Sequence, residues 1–239
     1  MLFRSANTET TRDALGISNE SLVTIKTNNP GIINSDLIWD NGDPDWVNGL
    51  CVQRGGAVTW ADGADDFTLT EETTIEMAVW TTVDTVDTYW SGIDDLVVYE
   101  FTGAGSPPGA EIINLQDVPN TRVDMGISPW GYPYYEYTID LLAEGLEFTL
   151  PAGTYFIMLR PVSTGTTGQS YWTTAPGDPG SQSEFYWRSD YFGVPNWSPA
   201  TTQWGVAYDA SFKLYGSIGQ PAIPDLDCYG DLNWIDVTS

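Results

Sequence analysis

Apolar and polar residues alternate with a period of two along several short segments of the chain. The clearest segment is 134–141, YYEYTIDL. Side chains at successive strand positions point to opposite faces, so this segment predicts a strand with one buried and one solvated face. A second alternating run follows at 146–150, and the apolar run at 155–159 predicts a strand buried on both faces. Three such strands joined by tight turns form a meander, which needs further strands to close a core.

The same pattern predicts strands along most of the remaining chain. Residues 61–66, 84–94 and 103–109 are rich in Gly, Asp, Thr or Pro and predict turns or loops, and 163–200 predicts a long aromatic loop. No window has apolar residues at helical spacing over three turns. Many short strands separated by Gly/Pro turns predict an all-β fold, a jelly-roll-like antiparallel β-sandwich. The further predicted strands are 22–26, 37–39, 57–60, 67–70, 75–80, 96–101, 112–118, 121–127 and 208–214.

The length of 239 residues suits one large sandwich with short flanking segments. We predict a leader segment at 1–20, the sandwich at 21–217 and a Pro/Gly linker at 218–224. Residues 225–239 then form a terminal strand or the start of a following module. No run of 18 apolar residues is present, so we expect no insertion into a membrane.

The charge of the chain is strongly one-sided. Asp and Glu number 33 and Lys and Arg number 8, which gives a net charge of -25. Nucleic acids and anionic membranes need a cationic face, so both are poor partners. An acidic surface favours an exposed or salty setting, and we expect an extracellular or cell-surface location.

Several kinds of catalysis are excluded by composition or lack a motif. The chain has no histidine, which removes Ser-His-Asp and Cys-His catalysis and histidine metal sites. No phosphate-binding glycine loop, CxxC pair or nucleophile elbow is present. Paired carboxylates could serve a glycosidase, but Glu136 and Asp140 share a predicted wet face, and Asp94 and Asp95 adjoin a strand end. We therefore predict a protein that is not an enzyme.

Two acidic turns carry the candidate calcium ligands. Calcium takes six to eight oxygen ligands, which loop carboxylates and carbonyls supply. Neither turn has the spacing of an EF-hand, because the twelfth position counted from Asp43 is Arg54. The alternative is that these carboxylates cap turns and stay solvated. The candidates are Asp40, Asp43 and Asp45 in the first turn and Asp62, Asp65 and Asp66 in the second.

The aromatic segment 171–197 is the candidate carbohydrate-binding region. Trp172, Trp187 and Trp197 could form a flat platform on which the apolar faces of pyranose rings stack. The alternative is that they close the open end of the sandwich. Asn196 begins a glycosylation sequon, as Asn19 does near the start, and a glycan on Asn196 would compete with sugar binding.

Strand-like segments at both ends of the chain suggest self-assembly. A terminal strand can complete the sheet edge of a neighbouring copy, and head-to-tail repetition gives an open fibre. The alternative is that these segments pair within their own chain or belong to a separate domain. Cys51 and Cys228 are the only cysteines and are compatible with one disulfide. The candidate assembly residues are Leu22 and Ile25 at the start and Leu232, Trp234 and Val237 at the end.

Four short segments resemble landmarks of exported β-sandwich modules in large archaeal and bacterial cell-surface proteins. They are IWDNG at 38–42, ADDFTLT at 64–70, LPAGTY at 150–155 and DASFKLYG at 209–216. The resemblance covers roughly 36–216 as an ordered set. It implies a jelly-roll-like, non-catalytic module, one of several in a surface chain.

The C-terminal segment DLDCYGDLNWIDVTS permits two resemblances. It is similar to the start of an immunoglobulin-like module, which we favour, or to the first half of a dockerin-type calcium loop. In the second case the first, third, sixth and twelfth loop positions would be Asp225, Asp227, Gly230 and Asp236, whereas Tyr229 departs from the Asp or Asn of position five.

Taken together, these patterns predict a structural or adhesive surface module that self-assembles through its terminal strands. Its expected partners are further copies or neighbouring surface modules. The alternative is a carbohydrate-binding module with a polysaccharide partner. Calcium is the single candidate cofactor.

Overall fold

The computed structural model describes residues 35–85, 90–177 and 181–219. Two sheets pack face to face, which confirms the predicted all-β sandwich. None of the helices in these ranges is long and apolar enough to cross a membrane. The elements are β1 (Asp36–Asp40), β2 (Gly49–Cys51), β3 (Gln53–Gly55), β4 (Val58–Leu69), β5 (Thr73–Thr85), β6 (Trp90–Glu100), β7 (Glu111–Pro119), β8 (Thr121–Ile127), β9 (Pro133–Asp140), α1 (Leu141–Glu144), β10 (Phe148–Leu150), β11 (Gly153–Ser163), β12 (Gln169–Ala175), β13 (Tyr186–Ser189), β14 (Val194–Pro199), α2 (Ala200–Trp204), β15 (Asp209–Ala210) and β16 (Phe212–Ile218).

The first sheet is built around the long strand β5. Strands β16 and β12 pair along one side of β5, and β9 and β10 pair along the other. Beyond them β1 pairs with β16, β8 pairs with β9, and both β2 and β15 pair with β12. The register between β16 and β5 shifts at Gly216, where a Cβ atom would lie 2.0 Å from the carbonyl oxygen of Thr74. Only glycine fits this close approach of two backbones.

The second sheet has the strand order β14-β13-β4-β3-β11-β6-β7. Its pairs are antiparallel except for the short parallel contact between β3 and β11. Strands β4, β6 and β11 lie in the middle of this sheet. Their inward side chains form the main core with the first sheet, and this burial supplies most of the driving force for folding.

Large aromatic side chains fill the space between the two sheets. Trp80 and Trp172 are both 1% exposed and meet edge to face with ring centroids 5.3 Å apart. Tyr137 packs on Trp80 at 5.3 Å, and Phe212 packs on Trp172 at 5.9 Å. Such edge contacts add to the stabilisation from buried area.

A second apolar cluster lies on the outer face of the second sheet. It explains why the run 155–159 is apolar throughout, since β11 is buried on both faces as predicted. The cluster is separate from the main core. Its buried members are Ala64, Val97, Tyr99, Phe156, Met158 and Tyr186.

Three predicted loops contain strands in the structure. The acidic segment 61–66 lies in the middle of β4, because its aspartates find hydrogen-bonding or cationic partners on both faces of the sheet. The segment 84–94 contains the end of β5 and the start of β6. The predicted aromatic loop 163–200 likewise holds β12, β13 and β14.

The three central strands do not form the predicted meander. Strands β9 and β10 lie one after the other along the same side of β5, and β11 belongs to the second sheet. The short helix α1 separates β9 from β10, with Asp140 as its N-cap and Gly145 in the left-handed conformation after its end. This helical turn redirects the chain where a hairpin was predicted.

Candidate functional site

An aromatic groove runs along one end of the sandwich and consists of two adjoining cavities. Their volumes are about 320 and 400 Å³, and they share Gly49 and Tyr171. Both volumes lie in the usual range for small-ligand sites. The first cavity is lined by Gly49, Cys51, Gln169, Tyr171, Trp187, Phe192, Val194, Gln203 and Trp204, and the second by Val47, Asn48, Gly49, Val83, Thr85, Trp130, Tyr132 and Tyr171.

The first cavity presents exposed aromatic rings on a fixed base. Trp204, the last residue of α2, is 37% exposed, and Phe192 is 43% exposed. Both rings contact Trp187, at 5.5 and 5.6 Å between centroids. The indole nitrogen of Trp187 donates to the carbonyl oxygen of Cys51 at 2.7 Å, which fixes the base of the cavity.

The second cavity is organised around Trp130. Its indole nitrogen donates to the carbonyl oxygen of Trp46 at 3.0 Å, and the Trp46 ring meets the rings of Trp130 and Tyr134 edge to face. The φ angle of Trp46 is 60°, a left-handed conformation that is costly for a bulky residue. Strain of this kind concentrates at functional sites.

Gly49 lines both cavities, and no side chain fits at its position. A Cβ atom there would lie 3.0 Å from Cζ3 of Trp130 and 3.1 Å from Cβ of Tyr171. The absence of a side chain lets the Trp130 ring pack directly against this stretch of backbone.

The polar groups of the groove are neutral. Gln169, Gln203 and Asn48 bring amide groups that both donate and accept hydrogen bonds. The Tyr171 hydroxyl donates to Oε1 of Gln169. Among the described lining residues no side chain is charged, and burial raises the pKa of the Cys51 thiol to about 12, so this thiol is not a ready nucleophile.

The three predicted platform tryptophans do not share a surface. Trp172 lies in the core, where its indole nitrogen donates to the carbonyl oxygen of Ser211 at 2.8 Å. Trp187 is 5% exposed and forms the base of the first cavity. The prediction of an exposed platform is therefore wrong for both, because β12 and β13 turn these side chains between the sheets.

Trp197 lies away from the groove, on the outer face of the second sheet. Its ring packs against Tyr99 at 5.7 Å and under the guanidinium of Arg188 at 4.3 Å.

The groove residues Trp130, Tyr132 and Trp204 were not predicted. A local cue exists for Tyr132, which follows the turn segment Ser128–Gly131, but their convergence with Tyr171 depends on strand pairing.

The three aspartates of the second predicted calcium group lie in β4 and are paired with other protein groups. Asp62 is ion-paired with Arg160 and with Arg188, the latter at 2.9 Å. Asp65 accepts hydrogen bonds from the side chain of Asn41 and the backbone N–H of Ala210. Asp66 also accepts several, which come from Oγ of Ser181 and the N–H groups of Gln182 and Ser183. These donors and cations bond to the carboxylate oxygens that would otherwise be open to a metal ion.

The first group begins at Asp40, the last residue of β1, and continues in the predicted loop that follows. Nζ of Lys213 lies 2.8 Å from Asp43 and 3.8 Å from Asp40, and Asp45 accepts from the N–H of Val47 and from Oγ1 of Thr174. Within residues 35–85, 90–177 and 181–219, no group of three or more Asp, Glu, Cys or His side chains is placed to hold a metal ion. Calcium binding stays a prediction.

The carboxylate pairs considered for catalysis have different surroundings. Asp140 caps α1, with its carboxylate accepting from the N–H of Ala143. Burial opposes ionisation of Asp95, but Arg54 and Arg160 outweigh it and hold the pKa of Asp95 below its usual value. Burial raises the pKa of its neighbour Asp94 to about 8. Asp94 faces the core and Asp95 the outer side of the sheet, so the two do not share one cleft.

The remaining predicted sites are only partly covered by the structure. Asn196 is exposed in β14, and Cys51 is buried and has no disulfide partner among the described residues. The disulfide with Cys228 stays a prediction, since Cys228 lies outside the described residues. The predicted domain boundaries likewise stay predictions. Also outside are Asn19, the assembly residues Leu22, Ile25, Leu232, Trp234 and Val237, and the dockerin-like positions Asp225, Asp227, Tyr229, Gly230 and Asp236.

Comparisons with family models, with curated proteins and with solved structures gave no match for this chain. Its function is therefore inferred from the geometry of its own residues.

Proposed function

We propose that the chain is a non-catalytic, extracellular adhesive module that binds a neutral polysaccharide in the aromatic groove. The observation that supports this most directly is the adjoining pair of cavities lined by Trp204, Phe192, Tyr171, Tyr132 and Trp130. Exposed rings offer flat apolar faces to the C–H faces of pyranose rings, while the amides of Gln169, Gln203 and Asn48 can bond to sugar hydroxyls.

The charge of the molecule favours a neutral ligand. The chain has a net charge of -25, so an acidic polysaccharide would be repelled. The described lining residues contain no cation to offset that repulsion. The absence of histidine from the whole chain, together with this uncharged lining, supports binding without catalysis.

Affinity electrophoresis against a panel of neutral glucans, mannans and xylans tests the proposal. We expect retardation by at least one of them, and Trp204→Ala should weaken the interaction about tenfold, roughly 1.4 kcal/mol of binding free energy. Trp197→Ala is the matched control, because it also removes an indole but from another face of the sandwich.

Retained folding of each variant is checked by its melting temperature. Two results would contradict groove binding: no retardation of the wild type by any polysaccharide, or an equal loss from Trp197→Ala and Trp204→Ala.

A second candidate function is the structural one, self-assembly by exchange of terminal strands. It is supported by the edges of the two sheets. Strands β1 and β8 each have a single strand partner among the described residues of the first sheet, as do β7 and β14 in the second. Unpaired backbone groups along such an edge can accept an added strand.

A further inference from the structure

Strand β8 is the most exposed of the strands that have a single strand partner among the described residues. Six of its seven residues are exposed, and Arg122 is the exception. Three large apolar side chains stand in solvent: Val123 at 53%, Met125 at 45% and Ile127 at 68%. Within the described part of the chain, β8 pairs with β9 alone. One side of its backbone is thus available for another strand.

The other edges are less suited to accept a strand. β14 contains Pro195 and Pro199, and a proline cannot donate to a ladder. The register of β7 shifts twice against β6 and that of β1 shifts once in five residues. Each of these two strands exposes one large apolar side chain, Ile112 and Leu37. In β8 the stretch before its single shift, Thr121 to Asp124, is regular.

Charge identifies which segment of the chain suits this edge. Residues 1–34 hold three acidic and three basic residues, and 220–239 hold four acidic and no basic residues. This leaves 26 acidic and 5 basic residues for 35–219, a net charge of -21. The acidic C-terminal segment is repelled by this body, whereas the neutral N-terminal segment is not. Its alternating stretch Leu22–Lys26 ends in a cation, and Asp124 is exposed on β8.

The chain enters the first sheet at β1, and β16, β5 and β9 lie between β1 and the β8 edge.

We propose that β8 accepts the segment Leu22–Lys26 of a second copy as an added strand. The inference rests on the second candidate function and names both the acceptor edge and the donor segment. The exposed side chains of β8 gain apolar cover from Leu22, Val23 or Ile25, and the edge gains backbone hydrogen bonds. Because each copy has one donor and one acceptor, repetition gives a chain of copies rather than a closed dimer.

A complementation experiment with full-length chains tests this directly. Ile25→Asp damages the donor segment and leaves β8 intact, whereas Val123→Asp damages β8 and leaves the donor segment intact. In analytical ultracentrifugation we expect wild type to form a concentration-dependent series of oligomers and each variant to be monomeric. Mixing the two variants should restore a single 1:1 dimer, because one sound donor meets one sound acceptor. Val206→Asp, on an equally exposed valine away from β8, should assemble as wild type does.

Each other outcome overturns the inference in a distinguishable way. A monomeric wild type would refute strand exchange, and it would also remove the structural function. Assembly of Val123→Asp or Ile25→Asp at the wild-type level would leave self-assembly standing but place it on another surface. A mixture that stays monomeric would refute exchange between copies. The melting temperature of each variant verifies its folding.

Discussion

At the scale of single residues, Asp94 is a buried acid whose surroundings oppose its ionised form. It is fully buried, and neither of its carboxylate oxygens has a hydrogen-bond partner among the described residues. The side chains of Asn120 and Trp80 face the carboxyl, yet Nδ2 of Asn120 and Nε1 of Trp80 are also unpartnered. Burial disfavours the ionised form, and the carboxyl stays protonated up to a pH of about 8.

The raised pKa of Asp94 makes the protein less stable as pH rises. In the unfolded chain the carboxyl ionises near pH 3.8, whereas the folded state keeps its proton until about pH 8. Between these values the folded state binds more protons, so the free energy of unfolding falls with pH by about 1.4 kcal/mol per unit. Between pH 5 and pH 8 the free energy of unfolding, measured with urea, should fall by about 4 kcal/mol less in Asp94→Asn than in wild type.

A surface carboxyl provides the control for this prediction. Asp190→Asn removes one carboxyl at an exposed position and controls for the loss of a single charge. Part of the dependence persists in Asp94→Asn, because burial also raises the pKa of Asp65 and, to about 6, that of Asp209. Parallel profiles for wild type and Asp94→Asn would contradict the assignment.

At the scale of elements, a ladder of ion pairs ties six strands together across the outer face of the second sheet. Arg54 of β3 bridges Asp117 of β7 and Asp95 of β6. Arg160 of β11 continues the ladder from Asp95 to Asp62 of β4. Arg188 of β13 completes it on Asp62 at 2.9 Å. The carboxylates of Asp62 and Asp95 are 3% and 0% exposed, so their charges depend on these cations.

Removing the central cation of this ladder should be costly. Arg160→Met leaves two buried carboxylates each short of one partner, and we expect a loss of about 3 kcal/mol in the free energy of unfolding. Arg54 and Arg188 remain, which keeps the loss at the lower end for a buried pair. The measurement is denaturant unfolding at constant pH.

Lys213→Met is the matched variant on the surface. Its partners Asp40 and Asp43 are 41% and 84% exposed, so the loss should be less than about 1 kcal/mol. If both substitutions cost the same, the ladder is not the stabilising feature described here.

At the scale of the whole molecule, the distribution of charge is the dominant physical fact. All five basic residues of the described chain are ion-paired, namely Arg54, Arg122, Arg160, Arg188 and Lys213. The excess of acidic residues is therefore left to repel itself across the surface. Such repulsion keeps copies apart unless a specific contact opposes it, which is the role proposed for the β8 edge.

Salt should relieve this repulsion and raise the melting temperature. We expect a continuous increase between 0.05 and 0.5 M sodium chloride, values chosen to span the range in which the Debye length falls from more than 10 Å to less than 5 Å. Scanning calorimetry measures it, and an unchanged melting temperature would contradict the expectation.

Melting temperatures in calcium and in magnesium at equal ionic strength test the calcium prediction. A higher melting temperature in calcium alone would support a calcium site in the chain. Identical curves for the two ions would refute it.

The sequence predicted the class of fold because that depends on local alternation of side chains. The strands at 96–101, 121–127 and 208–214 coincide with β6, β8 and the β15–β16 region. Errors arose where a strand carries acidic residues, as in β4. There the side chains of Arg160, Arg188 and Asn41 pair with the aspartates and override the turn propensity of Asp and Gly. These partners come from distant parts of the chain.

The sequence by itself determined the alternation, the acidity and the absence of histidine, since these are properties of neighbours and of composition. Only the tertiary structure decided which strands pair, that Trp172 and Trp187 point inward, and that Trp130, Tyr171 and Trp204 converge on Gly49. The physical reason is that pairing and convergence depend on contacts between residues far apart in the chain. Such contacts are selected by packing and hydrogen bonding of the whole sandwich, and no local pattern encodes them.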